Sequence, residues 1–145
     1  MEHLRRSRAP ATSLGRRRPL TVAAGAGPLI RLIAERLGES VRHLWTDEDT
    51  VEYQIDGALN VEVLQALRDD PDLAFFFLGD AAAVDYGPGV RFEVVYHLFS
   101  WKHPVWLRIR AHVSRDDPRI RTITGLWEGA MFHEREMYDM MGIVF

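Results

Sequence analysis

At 145 residues, with 47% hydrophobic and 27% charged residues, the chain suits one domain plus a tail, with most of its apolar surface in a single core. It contains no cysteine, which excludes disulfides, thiolate zinc sites, cysteine-ligated iron–sulfur clusters and cysteine nucleophiles. The formal charge of −3 conceals an asymmetry: residues 1–18 hold six arginines and one glutamate, leaving 12 basic against 20 acidic residues elsewhere, an acidic body that argues against nucleic-acid binding.

Residues 1–27 mix arginine runs with Pro10, Pro19, alanine and glycine, and are expected to form a disordered basic tail. A targeting-peptide reading is weaker, because the apolar stretch after Arg18 is short, glycine-rich and cut by Pro28. The domain is expected over 28–145. Leu29, Ile30, Ile33 and Leu37 recur at helical spacing, with Pro28 suited to a first turn and Gly38 to a helix stop.

Val41 to Trp45 and Val51 to Ile55 have strand character, and Thr46 to Asp49 forms the turn of an antiparallel pair. Asn60 is placed to cap a helix over 61–68, where Val61, Leu64 and Leu67 share a face and Asp70-Pro71 ends the run. Leu73 to Leu78, with Phe75, Phe76 and Phe77 in a row, is expected to be a strand buried on both faces.

Residues 91–100 alternate Phe92, Val94, Tyr96 and Leu98 with Glu93, Val95, His97 and Phe99. Residues 106–113 answer with Leu107, Ile109, Ala111 and Val113 against Trp106, Arg108, Arg110 and His112, so the two make a hairpin across 101–104. Cross-strand pairing with groups such as Glu93 explains the arginines and the histidine without a ligand. A short helical turn over 122–127 precedes a final helix over 131–141. The order helix, two strands, helix, three strands, helix implies an α+β two-layer sandwich with a mixed, mostly antiparallel sheet and helices on one face. No run approaches the roughly 18 apolar residues of a membrane helix, so membrane association is expected to be peripheral.

Catalytic and ligand motifs are missing. His133-Glu134 resembles half of a helical zinc motif, but Met137 stands where the second histidine belongs. Gly25-Ala-Gly27 and Gly87-Pro-Gly89 lack the remainder of a phosphate loop, and Lys102 is the only lysine available for Schiff-base chemistry. The expectation is no catalytic residue, no metal and no cofactor bound by this chain.

The segment from Trp127 to Phe145 concentrates charge within an apolar frame. In a helix, Arg135 and Asp139 stand one turn apart and can pair, whereas Glu134 and Glu136 project about 200° apart and cannot share a proton. Phe132, Met140 and Met141 are expected on the core side, with Gly142 stopping the helix. Trp127, Met131, Phe132, Met137, Tyr138, Met140 and Met141 exceed what one helix face can bury, which points to a partner surface at His133, Glu134, Arg135, Glu136, Tyr138, Asp139 and Gly142.

The pattern Trp127-x-Gly-Ala-x-Phe-His-Glu-Arg-Glu-x-Tyr-Asp-Met-x-Gly-Ile-x-Phe145 closely resembles the signature of the 30 kDa subunit family of respiratory complex I, an NADH-quinone oxidoreductase. Arg91 to Ser100, Leu107 to Arg110, Asp116-Asp117-Pro118 and Val84-Asp85-Tyr86 fit the same family in the same order, and the resemblance covers roughly residues 30–145. It implies a cofactor-free α+β scaffold protein of the peripheral arm, on the cytoplasmic side of the cell membrane. Its partners would be the quinone-cavity subunit and the terminal iron–sulfur cluster subunit, with FMN and iron–sulfur clusters carried by other subunits. The family pattern continues into a His-Pro segment and a basic, proline-containing extension, whereas this sequence stops at Phe145.

Two other readings accompany this one. The first is the equivalent subunit of a membrane-bound hydrogenase-like or ferredoxin- or deazaflavin-dependent oxidoreductase. The second is a free-standing α+β binding module with a ligand or peptide site at Phe75 to Phe77 and the Trp101 turn.

Overall fold

A computed structural model describes residues 26–145. The expected basic tail lies outside the described residues except for 26 and 27, which are already helical. Helix α1 (residues 26–37) therefore reaches at least two residues further back than the Pro28 start read from sequence. Ala26 accounts for this, because it is fully buried in the same core as Leu29 and Ile33, so the apolar stripe extends one turn earlier.

A 3₁₀ turn at Gly38–Ser40 leads into β1 (Arg42–Thr46) and β2 (Thr50–Asp56), paired antiparallel. The Asp47 carboxylate closes their connection, accepting the Asp49 and Thr50 backbone N–H groups at 2.9 Å each. A second 3₁₀ turn, Gly57–Leu59, precedes α2 (Asn60–Asp69). The cap differs from expectation. Asp56 caps the 3₁₀ turn by accepting the Ala58 N–H, while Asn60 is the first helical residue and turns its side-chain amide to the Arg121 carbonyl at 2.7 Å. With the turn abutting the helix, the free N–H groups are met one step earlier and Asn60 is released for a long-range contact.

The sheet continues with β3 (Phe77–Asp85), β4 (Phe92–Ser100) and β5 (His103–Val113), and α3 (Ala130–Met141) follows. Strand order is β1-β2-β5-β4-β3; β2 and β5 are parallel and every other pair antiparallel. The fold is an α+β arrangement with a mixed, mostly antiparallel sheet, as the sequence pattern implies. Its parallel pair arises because β5 returns beside β2 after the chain has crossed to the far edge through α2 and β3.

Alternation decides the two faces. Val51, Tyr53, Ile55, Val94, Tyr96, Leu98, Leu107, Ile109 and Ala111 point to the core, where Leu29 and Ile33 of α1 and Val63, Leu64 and Leu67 of α2 meet them. Each fully buried aliphatic side chain there contributes roughly 1.5–3 kcal/mol of transfer free energy.

The phenylalanine run does not form the expected strand buried on both faces. Residues 71–76 fold back on the end of α2: the Ala74 N–H donates to the Asp70 carbonyl at 2.7 Å, the Phe75 N–H donates to the Leu67 carbonyl at 2.9 Å, and Ala74 takes a left-handed φ of 50°. That reversal delays the strand to Phe77. Only Phe75 enters the core, stacked on His103, while Phe76 and Phe77 are 61% and 55% exposed.

Candidate partner interface

Helix α3 is positioned by its buried stripe, which is Ala130, Glu134, Met137 and the partly buried Met141, at i, i+4, i+7 and i+11. Phe132 and Met140, expected on the core side, are instead each 73% exposed. Each lies roughly 80° or more around the helix from the stripe. The larger apolar side chains thus face outward, and a glutamate occupies a core position.

Glu134 is buried because its carboxylate is fully used. One oxygen accepts the Thr122 hydroxyl at 2.6 Å and the other the Ile123 backbone N–H at 2.8 Å. It joins α3 to the 122–123 segment, so of the residues expected at a partner surface it is the one turned into its own domain. Gly142 ends the helix at φ 73°, its N–H donating to the Tyr138 carbonyl at 2.8 Å. Beyond it Ile143 is fully buried, and Val144 is held by backbone bonds to Pro118 at 2.8 Å and Ile120 at 3.0 Å.

Arg135, Glu136, Tyr138 and Asp139 are exposed on the outer side of α3. The expected Arg135–Asp139 pair is not formed: among the described residues neither makes an ion pair, and Glu136 makes none either. His133 is half-buried, with Nδ1 3.5 Å from the Asp80 carboxylate. Around these groups stand exposed Met131, Phe132, Tyr138, Met140 and Val144. Trp127, half-buried, anchors the start of the segment by donating its indole N–H to the Phe76 carbonyl at 2.8 Å. The sequence offered no signal for the Thr122–Glu134 or Trp127–Phe76 contacts, which join residues 12 and 51 positions apart.

The sheet face away from the core carries a polar network that closes on itself. The buried Glu52 accepts from Arg108 at 3.1 Å and also pairs with Arg110. The buried Glu93 is met by Tyr86 at 2.7 Å, Arg110 and His112 at 3.1 Å and Arg91 at 3.2 Å. Burial raises the pKa of Glu93, but the Tyr86 hydroxyl and the Arg110 guanidinium outweigh it and hold the group below the ordinary carboxylate range. Burial lowers His97 and His112, aided by the positive charge of Arg108 on the first and Arg91 on the second. Cross-strand pairing therefore accounts for these side chains, as the alternation implied. Among the described residues no group of three or more histidine, aspartate or glutamate side chains could hold a metal ion, and no helix is long and apolar enough to cross a membrane.

The family model described as respiratory-chain NADH dehydrogenase, 30 Kd subunit, matches residues 53–145. An NADH-quinone oxidoreductase subunit of Roseiflexus sp. (strain RS-1) is 48% identical over 86 residues, 59% of this chain and 49% of that protein. An NADH-quinone oxidoreductase subunit of Rhizobium etli (strain CIAT 652) is 37% identical over 114 residues, 78% of this chain and 60% of that protein. The chain thus spans about half to three fifths of the length of these curated relatives. Among solved structures, the trypsin-resistant fragment (1-134) of Nqo5 superposes with a TM-score of 0.65 at 31% identity, covering 81% of this chain and 94% of the fragment. A chain of an archaeal membrane-bound sulfane sulfur reductase shares the fold, with a TM-score of 0.71 at 19% identity over 83% of this chain and 69% of its own. The match over residues 53–145, which includes the whole of α3, establishes that the chain belongs to the 30 kDa subunit family of respiratory-chain NADH dehydrogenase.

Proposed function

We propose that the chain is a cofactor-free scaffold protein in the peripheral arm of a proton-translocating NADH:quinone oxidoreductase. In that enzyme electrons pass from NADH to quinone through FMN and iron–sulfur clusters held by other subunits. The observation that carries the reading is the outer side of α3, within the family match, where Arg135, Glu136 and Asp139 stand without ion-pair partners among the described residues inside a frame of exposed Met131, Phe132, Tyr138 and Met140. Charges in an apolar frame are costly to desolvate unless a partner answers them, so such a surface selects a partner with complementary groups.

The partners are the quinone-cavity subunit and the terminal iron–sulfur cluster subunit, at the cytoplasmic side of the membrane. His133, Arg135, Glu136, Tyr138 and Asp139 form the contact surface. Glu134 and Gly142 act from behind it, one fixing α3 to the domain and the other turning the chain away from it.

The test is co-purification from detergent-solubilised membranes with mass spectrometry, using the parent chain and Arg135→Glu. The parent is expected to bring down the two named subunits together with the NADH-oxidising flavoprotein. Arg135→Glu, folded by circular dichroism, is expected to lose them, since removing one partner of a buried charged contact costs about 2–5 kcal/mol. An unchanged set of co-purifying subunits would reject α3 as the docking surface. Recovery with a nickel-ligating large subunit would reject the NADH-oxidising assignment.

A further inference from the structure

Two polar side chains meet in the apolar core without completing each other's hydrogen bonds. Asn60, the first residue of α2, and Tyr96, in the middle of β4, are both fully buried. The Asn60 amide nitrogen donates to the Arg121 carbonyl at 2.7 Å and to the Tyr96 hydroxyl oxygen at 3.4 Å. The first of these contacts fixes the orientation of the amide, because turning it over would set Oδ1 against the Arg121 carbonyl oxygen. Oδ1 is then left with no donor among the described residues.

The Tyr96 hydroxyl is short of a partner in the opposite sense. Burial raises its pKa far above the ordinary tyrosine value, opposed by the Asn60 amide and reinforced by the negative charge of Glu134, so the oxygen keeps its proton. The contact with Asn60 uses that oxygen only as an acceptor, and among the described residues its proton has no acceptor. A buried acceptor without a donor thus lies close to a buried donor without an acceptor. Native cores rarely leave either group so, since each has given up its bonds to solvent.

The distance between them suits a single bridging molecule. Standard bond lengths put the amide oxygen about 2.2 Å from its nitrogen, so Oδ1 lies at most about 5.6 Å from the Tyr96 oxygen. Two hydrogen bonds of roughly 2.8 Å span that separation, whereas the hydroxyl makes no direct bond to Oδ1. The bridging group must donate to one atom and accept from the other. A cation would suit Oδ1 but not the hydroxyl proton, and an anion the reverse.

We propose that the core between α2 and β4 binds one water molecule, which donates to Asn60 Oδ1 and accepts the Tyr96 hydroxyl proton. The water cross-links the start of α2 to the centre of the sheet. Through the same Asn60 amide it is tied to the Arg121 carbonyl, one residue before the Thr122–Ile123 pair that holds Glu134 of α3. The site lies behind α3 and uses none of its contact residues, so it can fail or stand independently of the docking surface.

The test is a crystal structure of the full chain, combined with urea unfolding of the parent and Tyr96→Phe. The crystal is expected to show a water oxygen about 2.6–3.2 Å from both Asn60 Oδ1 and the Tyr96 oxygen. Tyr96→Phe deprives the water of a partner and is expected to raise the unfolding equilibrium constant about fivefold or more. A hydroxyl whose proton is bonded to nothing would instead be removed without loss. A direct hydrogen bond from Tyr96 to Oδ1, a donor to Oδ1 supplied by residues 1–25, or no water density between the two atoms would each overturn the proposal. So would an unfolding constant unchanged or lowered in Tyr96→Phe. The parent crystal decides the matter even if that variant does not fold.

Discussion

The Glu134 carboxylate accepts the Ile123 backbone N–H at 2.8 Å, and by doing so fixes which side of α3 the domain keeps and which it leaves outside. Removing the acceptor leaves a buried N–H unpaired, a loss of about 1–3 kcal/mol. Glu134→Ala is therefore expected to lower stability in urea unfolding by about 2–3 kcal/mol once the Thr122 bond is included. Arg135→Glu, next in sequence but exposed, is expected to stay within about 0.5 kcal/mol of the parent. Equal effects of the two would contradict the division between brace and contact surface.

Phe75 and its two successors should separate as clearly. Phe75→Ala empties a core position and is expected to cost about 3–5 kcal/mol. Phe76→Ser and Phe77→Ser remove exposed rings and are expected to change unfolding free energy by less than about 1 kcal/mol. Thermal or urea unfolding of the three variants decides it.

Acid should destabilise the fold in two stages. His97 and His112 have folded-state pKa values below their ordinary 6.5, first through burial and then through nearby arginines. The unfolded chain therefore binds their protons more readily, and stability present above 6.5 is lost as pH falls below it toward the folded values. Glu93 is lowered from 4.5, so its contribution, present above 4.5, is lost as pH falls through its lower folded value. Urea unfolding from about pH 7.5 down to about pH 3 is expected to show the first decline starting near the ordinary histidine value and the second near the carboxylate one. Imidazole titration by NMR should find both histidines below 6.5 while the sheet network is intact, and in Glu93→Gln the second decline should be smaller.

Two glycines are expected to resist substitution for different reasons. A Cβ on Gly57 would lie 2.2 Å from the His112 backbone carbonyl oxygen, so Gly57→Ala must separate the 3₁₀ turn from β5 and should cost about 1–3 kcal/mol or more. Around Gly142 there is open space, yet φ is 73°, so Gly142→Ala should cost only the left-handed backbone penalty of about 1–2 kcal/mol. Differential scanning calorimetry should rank Gly57→Ala below Gly142→Ala, and the reverse order would refute the steric argument.

The hairpin of β4 and β5 was legible because period-two alternation is written into neighbouring residues: Val94, Tyr96 and Leu98 against Glu93, Val95 and His97 need no distant partner to be read. The helices were legible because a spacing of three to four residues is also local, through Leu29, Ile33 and Leu37 and through Val61, Leu64 and Leu67. At α3 the charged cluster and the Gly142 stop were visible, but the rotation of the helix was not. Phe132 and Met140 look like core residues by hydrophobicity, and Glu134 like a surface one, until Thr122 and Ile123 supply the hydrogen bonds that let a carboxylate be buried. The phenylalanine run failed likewise, since the backbone reversal at Ala74 depends on where the end of α2 lies.

The sequence by itself determined the element order, the α+β class, the self-pairing of the sheet's polar face and, through its terminal motif, the family. Those properties rest on spacing, composition and local turn chemistry. Only the tertiary structure decided that β2 lies parallel to β5, that Phe76 and Phe77 stay outside, that Glu134 faces inward, and that Asn60 meets Tyr96 and the Arg121 carbonyl inside the core. Each of those joins groups far apart in the chain, and the free energy of such a contact depends on burial and hydrogen-bond partners that no local window of sequence contains.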